Sequence, residues 1–195
     1  MGINGALFLQ QLDGIVPDCG GFKRVMEGIN LNTMRLSTGA ILVVDSGNPG
    51  RVSSETYFET VVLPSSQTDL GTLTFSVPRD FDAYTDYMAV RFLCNSGGTT
   101  DAPTLDAAVY QKKVGTALSA NLDPTASAAI TKTSATTGAA WREIVADGLS
   151  LVPGAALTWI LSTAGTRGTT DSVVIYAVEV EYYSDLVYND ETDRA

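Results

Sequence analysis

Carboxylates are left to carry most acid–base or metal chemistry in this chain, because its 195 residues include no histidine. That absence excludes Ser-His-Asp and Cys-His catalysis and histidine-ligated zinc. No glycine-rich phosphate loop follows an apolar run, and no G-x-S-x-G elbow is present. Asp80, Asp82 and Asp86 crowd together after Pro78. They could offer oxygens to calcium, but the stretch lacks the glycine and the distal glutamate of an EF-hand. The simpler expectation is a solvated loop in which Asp80 or Asp82 accepts hydrogen bonds from backbone amides. Paired carboxylates for glycoside hydrolysis are open to any acidic chain, and the sequence singles out no pair. The expectation is a protein without catalysis, metal or cofactor.

Other side chains suit binding better than reaction. Tyr84, Tyr87, Tyr182, Tyr183 and Tyr188 could form a platform for sugars, although tyrosine also suits ordinary sheet faces and subunit contacts. Gly98-Thr99-Thr100-Asp101 and Gly168-Thr169-Thr170-Asp171 repeat one pattern, which is turn chemistry first and a shared binding loop second. Cys19 and Cys94 match no metal or redox spacing, so no disulfide framework is expected. With 22 Asp and Glu against 12 Lys and Arg, the formal net charge is -10. Such a chain repels phosphate backbones and makes nucleic acid a poor partner. No apolar run reaches membrane-spanning length. The first residues lack the basic start of a secretory signal, and Ala6 stands where a myristoylation signal needs Ser or Thr. A soluble protein without an address of its own is expected.

The elements that must position these groups are strands. In Leu70–Cys94, Leu73, Phe75 and Val77 alternate with Thr72, Thr74 and Ser76, and Met88, Val90, Phe92 and Cys94 alternate with Ala89, Arg91 and Leu93. A period of two is a strand with one buried face. Pro78 ends the first run, and the two runs in succession predict an antiparallel pair. Leu105, Ala107 and Val109 predict another strand, Trp141 and Ile144 a short one, and Leu157, Trp159 and Leu161 one more after a Pro153-Gly154 turn. In the final run Val174, Tyr176, Val178, Val180 and Tyr182 share a face. Between Gly115 and Gly138 the Ala, Ser and Thr content gives only weak strand signals.

Some eight strands with turns between them predict an all-β fold, an antiparallel jelly-roll β-sandwich over residues 53–184. Phe75, Val90, Phe92, Val109, Leu157 and Trp159 are expected in its core. Residues 185–195 form an acidic tail. Residues 1–52 read as an irregular N-terminal arm with a short strand at Ala40–Asp45. There Leu7, Phe8, Leu12 and Ile15 could line one side of a short helix. Two expectations stand for it: it packs back on the sandwich, or those four side chains dock on a partner.

The runs from LTFSVPRDFDAYTDY to GTTDAPTL, and TTDSVVIYAVEVEYYSDL at the end, resemble the head decoration or cement proteins of tailed bacteriophages. The resemblance covers about residues 55–188 and rests on strand-and-turn motifs. It implies a virion protein, made in the bacterial host cytoplasm, that binds the outer surface of an assembled capsid as a homotrimer. Its partner would be the major capsid protein, whose neighbouring copies it would bridge, and no catalytic residue is implied. The alternative expectation is a carbohydrate- or receptor-binding β-sandwich module of a phage tail fibre.

Overall fold

The computed structural model describes residues 23–36, 50–55, 58–63, 71–96, 102–130, 139–165 and 173–186. Leu7, Phe8, Leu12, Ile15, Cys19, the Ala40–Asp45 run, both G-T-T-D loops and Tyr188 lie outside them. The strands are β1 (Lys23–Ile29), β2 (Arg35–Leu36), β3 (Gly50–Glu55), β4 (Phe58–Leu63), β5 (Gly71–Ser76), β6 (Tyr87–Ser96), β7 (Pro103–Lys112), β8 (Ala140–Asp147), β9 (Ala156–Gly165) and β10 (Val173–Ser184).

They build two antiparallel sheets. Sheet A runs β3-β4-β10-β6-β8, with β1 also on β10, and sheet B runs β2-β5-β9-β7. From β4 onward the chain alternates between the sheets, the winding of a jelly roll. Val90, Phe92, Ile144 and Val180 face Leu73, Val109, Leu157 and Trp159 across one continuous core. Five of the six expected core residues are fully buried, while Phe75 sits at the margin with its ring stacked on Trp159 at 6.3 Å.

The expected pairing of the two runs in Leu70–Cys94 is wrong. β5 pairs β9 in sheet B, and β6 pairs β10 and β8 in sheet A. They share a burial pattern because they cover the same core from opposite sides. Pro78 cannot extend the β5 ladder. The chain then crosses to sheet A, anchored by Val77 N–H to Ala155 O and Asp82 N–H to Tyr183 O.

Residue 52 does not divide arm from sandwich. β1 pairs the second half of β10, from Lys23 with Ser184 to Ile29 with Val178. β4 reaches only Val173–Ile175 on that side, so β1 completes the hydrogen bonding that β4 leaves open. Val25 and Ile29 pack on the core.

β10 departs from strict alternation too. Its register against β6 shifts between Ile175 and Ala177, a bulge that places one extra residue in the strand. Val173 and Ile175 face inward before it, and Val178, Val180 and Tyr182 after it. The expected single face from Val174 to Tyr182 is therefore broken at Tyr176.

The open edge of β7 is closed by residues 118–130, which form no regular strand. Ser119, Leu122, Ser127 and Ile130 donate their N–H groups to Gln111, Val109, Leu105 and Pro103 carbonyls. In return, side chains accept from β7: Ser127 Oγ from Leu105 N–H, Asn121 Oδ1 from Val109 N–H and Ser119 Oγ from Gln111 N–H, each at 2.8 Å. Thr125 meanwhile bridges to Val145 of β8. One polar strap thus closes sheet B and touches sheet A.

Candidate functional site

The aspartates of the Pro78–Asp86 loop are already in use. Asp80 accepts from Ser184 Oγ at 2.7 Å and from Tyr182 OH at 3.2 Å. Asp82 caps the turn by accepting from Tyr84 N–H at 2.9 Å and Thr85 N–H at 3.0 Å. Burial acts to raise the Asp82 carboxyl, but hydrogen bonds from Tyr84 and Thr85 outweigh it and hold the group below its ordinary value. Asp86, in the left-handed region at φ 47°, accepts from Leu151 N–H at 2.9 Å and also from Ser150 N–H. Each carboxylate serves a different part of the fold. Among the described residues no group of three His, Cys, Asp or Glu could hold a metal ion.

The proposed tyrosine platform is only partly assembled. Tyr84 is exposed on its loop. Tyr87 and Tyr183 meet on the outer face of sheet A with ring centroids 5.5 Å apart. Burial, followed by the nearby Glu181 carboxylate, raises the Tyr87 hydroxyl to about 12. Tyr182 does not belong with them: the β10 bulge turns it inward, where it is buried with its hydroxyl on Asp80. Cys94 is likewise a core thiol, raised to about 12 by burial.

The outer face of sheet A brings together residues that sequence did not. Cross-strand register places Glu179, Arg91 and Glu143 in one row and Leu93 beside Trp141 in the next. The Arg91 guanidinium carbon lies 5.2 Å from the Trp141 ring centroid, within cation–π range. Its Nη1 is 3.6 Å from carboxylate oxygens of both Glu179 and Glu181. Glu181 is buried on this face, with Oε2 2.6 Å from Arg24 Nη2. Two arginines thus share one desolvated carboxylate, and loss of either would leave it undercompensated.

Beside this network lies a shallow depression of about 390 Å³, lined by Arg91, Trp141, Arg142 and Glu143 and by Thr125 and Ala126 of the strap. Arg142 is held by the Ala129 and Trp141 carbonyls at 3.2 and 3.0 Å. The depression therefore offers a half-buried indole, two positioned guanidinium groups and one exposed carboxylate. That set can stack on an apolar ring face and hydrogen-bond to hydroxyls. The available signal was Trp141 with Ile144, which suggests only a short strand. Its partner Arg91 required the register.

No protein-family model matches the chain, and no curated protein does. Among solved structures it is similar to a xylan-binding module, CBM15, at 10% identity over 82% of this chain and 97% of that one, with a TM-score of 0.46. It is also similar to the CBM22-1 xylan-binding domain from Paenibacillus barcinonensis Xyn10C, at 6% identity over 83% and 86%, TM-score 0.42. A third is CBM35 from Cellvibrio japonicus Abf62, at 15% identity over 80% and 91%, TM-score 0.32. Likenesses this distant say nothing of what the present chain binds.

Proposed function

We propose that this chain is a non-catalytic binding module that meets a carbohydrate on the outer face of sheet A. The observation that carries it is the depression beside Trp141, where an indole is set among hydrogen-bonding groups held by the sheet and the strap. The groups are fixed before a ligand arrives, so little ordering entropy opposes binding. Neither an imidazole nor an unengaged carboxylate pair supports hydrolysis there. Screening the intact protein against an array of neutral and acidic glycans tests the proposal. Binding should appear and fall at least about tenfold in Trp141→Ala, a loss of about 1.4 kcal/mol. An array without any binder, or a Trp141→Ala variant that binds unchanged, would sink it.

A second reading is attachment to the outside of a phage capsid, as a homotrimer on the major capsid protein with Leu7, Phe8, Leu12 and Ile15 as contacts. The resemblance over residues 55–188 supports it. Co-sedimentation with purified shells would separate this reading from a tail-fibre module, which should bind glycans and leave shells bare.

A further inference from the structure

We propose that one end of the sandwich is the seat of the chain's own apolar amino-terminal stretch, Leu7–Ile15. This is independent of what the sheet A face binds. At that end the β5–β6 loop, the turn after β7, the β8–β9 loop and the residues after β10 come together. They expose Tyr84 (90%), Val114 (100%), Leu118 (60%), Val152 (37%) and Leu186 (63%). Among the described residues only Met26 is a large exposed hydrophobic outside this group. Single exposed apolar residues are ordinary, but five on the loops of one end concentrate exposed apolar side chains there.

The loops cannot fold over the patch, because each is tied to its neighbour. Asp86 O accepts from Gly148 N–H, and its carboxylate takes the Ser150 and Leu151 amides. Gln111 accepts from Val152 N–H at 2.7 Å and donates to Ser150 O. Lys112 bridges to Leu118, and Asp80 O accepts from Asp185 N–H. Ser150 is held at φ 57°, a left-handed conformation that its neighbours must enforce.

The occupant is indicated by where the chain enters. Lys23 pairs Ser184, and Ser184 also bridges to Phe81 of the β5–β6 crossing. The residues before β1 therefore join the sandwich at this same end. Residues 16–22 between Ile15 and Lys23 could span up to about 25 Å at roughly 3.3–3.6 Å each, enough to bring Leu7–Ile15 across it. Between Leu7 and Ile15 the one charged side chain is Asp13, so the segment offers mainly apolar and neutral side chains to exposed Val, Leu and Tyr.

Cysteine trapping in the full chain tests the seat. In a Cys19→Ser background, Leu12→Cys combined with Val114→Cys should bridge within one molecule on mild oxidation in dilute solution. Leu12→Cys combined with Thr104→Cys, at the far end of β7, should not. In parallel, Phe8→Asp with Leu12→Asp should speed amide exchange at Thr116 and Val152 at least about tenfold. A bridge formed only between molecules would assign the seat to a second copy and overturn the proposal. Unchanged exchange with no Leu12–Val114 bridge would also overturn it, leaving the end and the arm open to a foreign partner such as a capsid.

Discussion

The interior and the strap of residues 118–130 hold the same sandwich by opposite chemistry. Between the sheets Trp159, Phe92 and Leu157 are held by shape and exclusion from water. Along β7 the strap is held by single polar atoms that replace the carbonyls of a missing strand. The difference teaches what each region tolerates. An interior position accepts a chemical change but not a loss of volume. A polar strap position such as Ser119, Asn121 or Ser127 accepts a loss of volume but not the loss of its acceptor.

Breaking the interior should give the larger effect. Trp159→Ala is expected to cost about 3–5 kcal/mol in urea unfolding. Trp159→Phe should cost clearly less, because it keeps most of the ring volume and the buried Nε1 it removes has no hydrogen-bond partner. Equal losses in the two variants would mean that the indole nitrogen matters and that the contrast with the strap is false.

At the strap, Ser127→Ala should cost about 1–3 kcal/mol by leaving Leu105 N–H unpaired, since Ser127 is buried. Asn121→Ala should cost less, because Asn121 is exposed and water can replace its oxygen at Val109 N–H. Amide exchange at Leu105 and Val109 reports each break directly. If Ser127→Ala exchanges like the parent, the strap is not what seals β7.

The smallest effect sharpens the same contrast through pH. The folded Asp82 carboxyl lies below its unfolded value, near about 3.9. Its contribution is therefore complete above that value and is lost as pH falls through the lower folded value. Asp82→Asn should flatten the acid limb of a stability–pH profile while interior variants leave its slope unchanged. An Asp82→Asn limb as steep as the parent's would assign the acid sensitivity elsewhere.

This contrast also explains what could be foreseen. Val90, Phe92 and Val109 were legible because burial on one face writes a period of two into sequence. The strap was not, since Ser119, Asn121 and Ser127 look like any polar loop until β7 lies beside them. Nor was the sheet membership of β5 and β6, because a buried face does not say which side of the core it covers. β1 was obscured by Glu27 and Gly28 within a seven-residue strand. At the candidate site, Trp141 marked a strand, but its meeting with Arg91 depends on a register that only the folded β6–β8 pair fixes. The β10 bulge moved Tyr182 from the expected surface to the core.

The pairing of Lys23 with Ser184 has a consequence for synthesis. β10 is the ladder on which β1, β4 and β6 all depend, yet it follows the other nine strands of the described residues. On the ribosome those three strands emerge without their common partner, and sheet A cannot close until β10 clears the exit tunnel. Closure of sheet A is thus expected only once β10 has emerged, over the milliseconds to seconds common for folds built from distant pairings. Through that interval the nascent chain carries unpaired apolar strands, so crowding between neighbouring nascent chains, rather than the finished molecule, is where aggregation should begin.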